Sequence, residues 1–221
     1  MQWKWKTQLD NTRYEVTVAE NEQLNYPLLI DGNTSDGAQH YCFYLECNAV
    51  LVVELLVMRS DVHLTIECIL RGQGADARII GAYGLHTSNK VQIYTRQHHQ
   101  AAHTRSTLMM KGVVYDSAQA YYHGTIRVEK DAYGSDASQE NKNMLMSNSA
   151  RAVSEPCLEV LTNDVRCFHG SASGRCDAEQ LFYCATRGID EKKARQLLLR
   201  AFFAELFVSE TLNDKLSVLI E

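Results

Sequence analysis

Proline is nearly missing from this chain of 221 residues: only Pro27 and Pro156 occur, so little along it forbids continuous backbone ladders. No Cys-x-x-Cys pair exists among the seven cysteines, at 42, 47, 68, 157, 167, 176 and 184. An odd count without such pairs argues against a secreted disulfide framework. Free thiols in a reducing cytosol, mostly packed as small hydrophobes, are the simpler reading. Long apolar runs are missing too. The most apolar, Ala49 to Met58, is broken by Glu54, falls far short of the roughly 20 residues that cross a bilayer, and reads as a buried strand pair. The opening stretch from Met1 to Lys6 alternates lysine with tryptophan and lacks the continuous apolar segment of a secretory signal. A cytoplasmic protein with no membrane partner is expected. Basic residues form no stripe, and with a net charge of −5 and a pI of about 5.9 nucleic acid is not an expected partner.

What is present is strand pattern. Trp3 and Trp5 alternate with polar residues, as do Tyr14, Val16 and Val18, then Val62, Leu64, Ile66 and Cys68, then Val91, Ile93 and Thr95. This period of two is that of a β-strand. Short breakers lie between: Asp31-Gly32-Asn33, Gly72-Gln73-Gly74, Gly81 and Gly84, Lys111-Gly112, His123-Gly124 and Tyr133-Gly134. Many short strands with frequent turns fit a sandwich, a barrel or a solenoid. The polar stretch SDASQENKN suits a stacked-coil β-helix, although no clean sequence repeat is visible.

After residue 175 the pattern changes. Asp177 caps a helix that presents Leu181, Phe182, Cys184 and Ala185, and Arg187-Gly188 ends it. A second helix opens at Asp190, with Ala194, Leu197, Leu198, Ala201, Phe202, Glu205 and Leu206 at helical spacing and an extent to residue 208. A third covers Glu210 to Ile220. The fold class expected is mainly β over residues 1–175, followed by a small helical domain over 176–221.

Four constellations carry possible chemistry. His98-His99 with His103 is the first. Neighbouring histidines on a strand point to opposite faces, and no close ligand pair supports zinc, so exposed or hydrogen-bonding histidines are favoured. Cys167 and His169 share a strand face, a thiol beside an imidazole suited to iron, to a cluster intermediate or to nucleophile–base work. A packed cysteine and a hydrogen-bonded histidine are the commoner outcome, and Glu159 and Asp164 stand close enough in sequence to orient the imidazole. Cys176 and Cys184 are too far apart for a simple ligand pair, and core roles are the default for them and for Met109-Met110 and Met144-x-Met146. The helix at 190–208 is apolar over a broad arc through Phe202, Phe203, Leu206 and Phe207, so its own core and a partner groove compete for it.

The stretch from 96 to 206 resembles the core domain of the SufB/SufD family. His99, Thr104 and Ser106 resemble the family's His, Thr and Ser at the end of a β coil. Lys111-Gly112-Val113 and then Tyr122-His123-Gly124-Thr125-Ile126-Arg127-Val128 follow. The run from Ser135 to Gly174 is similar to the family's Asp-Ala-x-Gln-x-Asn-x-Asn, Pro-x-Leu-Glu and Asp-Val-x-Cys-x-His-Gly segments. Glu179-Gln180-Leu181-Phe182-Tyr183 and Arg187-Gly188-Ile189 match its helix-pair signature. The resemblance implies a right-handed parallel β-helix and a helical C-terminal domain. It also implies a non-enzymatic scaffold of iron–sulfur cluster assembly, pairing through its β-helix with a SufB-like subunit or a second copy of itself. The C-terminal helices would hold a SufC-like ABC ATPase, with Arg187, Leu198, Phe202, Phe203 and Leu206 as candidate contacts. A transient iron–sulfur cluster at the subunit interface is implied, with none bound stably by this chain alone.

Within the family the chain is similar to SufD. The cysteine that SufB-type members carry ahead of Pro156-Cys157-Leu158-Glu159 has no counterpart between Gln139 and Val153. His169 matches the SufD histidine facing the cluster site, which makes it the leading ligand or interface candidate, with Cys167 structural. Family members also carry a helical N-terminal domain, so a short form is implied. An adaptor for the same ATPase without an iron or sulfur role stands as the alternative. A β-helix enzyme acting on carbohydrate lacks the clustered carboxylates it would need.

Overall fold

The structure, a computed structural model, describes residues 11–31, 38–58, 61–204 and 206–218. Trp3, Trp5, Gly32, Asn33, Glu205 and Ile220 lie outside them. Among the described residues the strands come in six pairs: β1 (Asn11–Val18) and β2 (Gln23–Ile30), β3 (Ala38–Leu45) and β4 (Val50–Val57), β5 (Val62–Leu70) and β6 (Asp76–Leu85), β7 (Lys90–His99) and β8 (Arg105–Val114), β9 (Gln119–Val128) and β10 (Ser135–Leu145), β11 (Arg151–Val160) and β12 (Val165–Arg175). Odd strands form one parallel sheet in the order β1-β3-β5-β7-β9-β11, and even strands the other, β2-β4-β6-β8-β10-β12. Each coil gives one strand to each sheet, which makes the body a β-solenoid. Helices α1 (Ala178–Thr186), α2 (Glu191–Phe203) and α3 (Glu210–Val218) follow.

The repeat that sequence inspection does not reveal resides in the corners. At one corner Asn21, Asn48, Gly74, His103 and Gly134 all adopt positive φ, between 54° and 74°. The amide of each donates to a carbonyl of the following coil: Cys47, Gln73, Ala102, Tyr133 and Asp164 in turn. The shared requirement is a left-handed turn residue, met by asparagine, glycine or histidine, so conformation repeats where identity does not. Side chains stack from coil to coil as well. Hydrogen-bonded pairs recur at separations of 27 (His40 and Glu67), 29 (Glu15 and Tyr44) and 31 (His98 and Glu129) residues.

Between the sheets lies a core running from Val18 and Ile30 through Phe43, Leu55 and Ile66 to Tyr83, Ile93 and Tyr122. A second cluster sits on the outer face of the even-strand sheet, where Leu56, Ile80, Ala82 and Val113 receive Leu199, Phe203, Leu206, Phe207, Leu212 and Leu216. This explains the apolar run at Ala49–Met58. It is one strand, β4, rather than a strand pair, and it is apolar on both faces because one faces the solenoid interior and the other the C-terminal segment. Glu54 has a specific task there. Its carboxylate, nearly buried, accepts from the backbone amides of Val208 and Ser209, just ahead of α3.

The same contact shortens the second helix. Asp190 caps it, accepting from Lys193 N at 3.0 Å, and it ends at Phe203 rather than at 208. Leu206 and Phe207 then leave helical geometry to reach the sheet, and Lys111 Nζ ties the turn down by donating to the Phe202 carbonyl at 2.6 Å. Asp177 caps α1 by accepting from Glu179 N at 2.9 Å. Gly188, at φ 76°, closes that helix.

Candidate functional site

Cys167 and His169 lie on β12, which pairs only with β10 and so forms the final edge of its sheet. Their register partners are Ala137 and Gln139, and these in turn align with Ser106 and Leu108 on β8. Both columns face the solenoid interior. Cys167 is half-buried against the cluster of Ile126, Val128, Ala132 and Ala137. Burial pushes its thiol above the ordinary range, and the charge of Asp136 adds to this. A thiol held protonated is a poor nucleophile and a poor metal ligand, so the structure favours a packing role for it.

His169 continues an interior column but, on the last coil, has no strand beyond it among the described residues and stands exposed. Neither acid that sequence places near it holds the ring. Glu159 instead pairs with Arg127 at 3.1 Å, and Asp164 contributes its backbone carbonyl to Gly134 N. On the last coil Leu158 and Val160 continue the inward columns of Ile126 and Val128 yet are exposed, as is Leu161 just past β11, while Val153 and Phe168 are exposed on the outer faces. Two open strand edges, β11 and β12, frame an apolar rim. Unpaired strand edges and exposed apolar side chains are the features by which sheets recruit further strands. Among the described residues no group of three or more His, Cys, Asp or Glu side chains is placed to hold a metal ion.

The histidines at 98, 99 and 103 divide as strand alternation requires. His98 points outward, 2.9 Å from Glu129, and His103 occupies a corner. His99 points inward, where Nδ1 lies 2.7 Å from Thr104 Oγ1 and Nε2 lies 2.8 Å from Ser106 Oγ. The protons can be assigned. Thr104 spends its hydroxyl hydrogen on the Ala101 carbonyl and so accepts from His99 Nδ1. Ser106 accepts from Gln97 Nε2 and donates to His99 Nε2. The ring is neutral, and burial, with help from the charge of His98, holds it down to about 4. The three residues that carry the first family motif are one buried hydrogen-bonded cluster.

The helical candidates separate into two groups. Phe203 and Leu206, 3 % and 5 % exposed, are committed to the chain's own sheet; a partner-facing role for them is corrected by this placement. Phe202 and Leu198 are half-buried, and Arg187 is exposed with its guanidinium over the Tyr183 ring. What sequence reasoning missed is the exposed aromatic surface of α1. None of the residues of α1 is buried; Phe182 and Tyr183 are 73 % and 60 % exposed, and Leu197 of α2, the helix α1 packs against, is exposed as well. The signal was legible as Phe-Tyr within the helix signature, but its outward direction is set only by how α1 packs on α2.

Comparison with known proteins adds the following. A family model described as "SUF system FeS cluster assembly, SufBD core domain" matches residues 4–202. The iron–sulfur cluster assembly protein SufD of Escherichia coli is 35 % identical over 212 residues, covering 92 % of this chain and 48 % of that protein. An iron–sulfur cluster assembly SufBD family protein of Mycobacterium leprae is 34 % identical over 143 residues, 61 % of this chain and 36 % of its own. A chloroplastic protein of Arabidopsis thaliana, ABCI7, is 35 % identical over 94 residues, 42 % of this chain and 20 % of its own. The chain spans about half the length, or less, of these relatives.

Proposed function

The chain belongs to the SufBD core-domain family, and from that membership and the geometry of its last coil we propose that it is a non-enzymatic scaffold subunit of SUF-type iron–sulfur cluster assembly. The observation that carries this is the open end of the solenoid, where an exposed histidine stands on an unpaired strand edge and the same coil leaves Leu158, Val160 and Leu161 exposed. Pairing through that end, with a SufB-like subunit or a second copy, brings His169 to an interface where a nascent cluster is shared cargo. The α1–α2 hairpin holds a SufC-like ATPase. Arg187 and Leu198 belong to that surface, to which we add Phe182, Tyr183 and Leu197. All seven cysteines are free thiols, which supports a reducing, cytoplasmic setting, and no described helix is long and apolar enough to cross a membrane.

A second reading, an adaptor that binds the ATPase and never touches iron, is favoured by the missing SufB-type cysteine between Gln139 and Val153. Iron and acid-labile sulfide measured on the anaerobically purified complex separate the two. Cluster-level iron and sulfide that disappear with His169→Ala support the scaffold. A complex that stays free of both while its partners' clusters mature supports the adaptor.

A further inference from the structure

The solenoid interior changes character along its length. Its first coils are filled by Ile30, Leu51, Val53 and Leu55, whereas the later ones bury Gln97, His99, Thr104, Ser106, Ser135, Gln139, Asn141 and Asn143. Most of these are satisfied. His99, Thr104 and Ser106 bond as described, Ser135 Oγ lies 2.8 Å from Thr104 Oγ1, and Asn143 donates to Asn141 at 2.8 Å and to Ser173 at 3.1 Å.

Two acceptors are not. The Oε1 atoms of Gln97 and Gln139 have no hydrogen-bond partner, and both side chains are 0 % exposed. Their amides cannot simply be turned over. Gln97 Nε2 donates to Ser106 Oγ at 2.7 Å and to the Ser138 carbonyl at 3.1 Å, and Gln139 Nε2 donates to the Gly124 carbonyl at 3.2 Å. Reversal would set an amide oxygen against a carbonyl oxygen in each case. Both oxygens are therefore true acceptors held in a dry place, and such groups are satisfied by bound molecules when the protein supplies no donor. The wall near Gln97 is made of small side chains, Ala77, Ser106 and Ala137, aligned in one register column.

We infer that the polar interior beneath the His169 coil seats neutral, water-sized hydrogen-bond donors, one on Gln97 Oε1 and one on Gln139 Oε1. The chemistry sets the charge. An anion would face an amide oxygen at either seat, and a cation would find no carboxylate among the interior side chains named above. Water fits, since it supplies donors and carries no charge. Gln97 is joined through Ser106 to His99, and Gln139 is the register partner of His169. Both seats stand independently of the assembly role.

The test is a crystal structure of the full chain at a resolution that resolves single waters, paired with water-to-amide NOE spectroscopy at the side-chain amides of Gln97 and Gln139. The expected result is density at hydrogen-bonding distance from both oxygens and persistent water cross-peaks at both amides. Gln139→Met should remove the water at 139 and leave the one at Gln97. Should that variant fail to fold, Gln97→Met gives the reciprocal reading. Oxygens packed dry against protein atoms, with no cross-peak, overturn the proposal. So does a bromide soak that places an anomalous peak at either oxygen.

Discussion

His99 shows how much one side chain can commit a structure to a pH range. Its folded-state pKa is lowered from 6.5 to about 4 by burial, so the unfolded chain binds a proton that the folded one refuses. Stability from this group is present above about 6.5 and is lost as pH falls toward about 4, by up to about 3 kcal/mol. Urea titrations across that window should show the loss, and His99→Gln, though less stable at pH 7, should flatten the slope between pH 6.5 and 4. An unchanged slope would put the titrating group elsewhere. His169 predicts the opposite profile. As an exposed residue bonded to none of the described side chains, His169→Ala should keep the urea midpoint within about 0.5 kcal/mol while abolishing cluster maturation by the complex. Maturation at the wild-type rate would remove His169 from the site. Sequence reading placed His169 and Cys167 on one face of a strand because that alternation is local. It could not see that Glu159 belongs to Arg127, since that pairing depends on which coil lies beside which.

At the scale of elements, two polar latches and an apolar cluster fix the C-terminal segment to the even-strand sheet. Glu54→Ala removes the charged acceptor of the part-buried bonds from the Val208 and Ser209 amides, a loss of about 1.5–3 kcal/mol for a hydrogen bond to a charged group. Hydrogen exchange should quicken across 206–218 and stay slow in β4–β8; uniform protection of the segment would contradict the latch. The α2 boundary was misread for the same reason. Apolar spacing continues through Leu206 and Phe207, and only the tertiary demand of Glu54 and the sheet ends the helix at Phe203. Phe182 and Phe203 then make a paired test. Phe203→Ala empties a buried site and should cost about 3–5 kcal/mol. Phe182→Ala should leave stability within about 0.5 kcal/mol yet weaken capture of a SufC-like ATPase at least tenfold in a pull-down titration. Undiminished capture would move the ATPase surface off α1.

The whole molecule is a stack of alike coils closed along one flank by helices and open at its final coil. Its strand content was legible in the alternation from Tyr14 to Thr95, and its helices in the caps at Asp177 and Asp190. The solenoid itself was not, because the corners at Asn21, Asn48, Gly74, His103 and Gly134 conserve a backbone angle rather than a residue. Pattern alone left sandwich, barrel and solenoid open; resemblance over residues 96–206 chose among them. That architecture gives the proposal its shape, with one end for pairing and one flank for the ATPase. Co-expression with the organism's SufC-like ATPase under anaerobic conditions, followed by native mass measurement, addresses it most directly. The account predicts a stable complex containing this chain and the ATPase, lost when Phe182 and Tyr183 are both replaced by aspartate. A chain that runs alone beside a functional ATPase would contradict it.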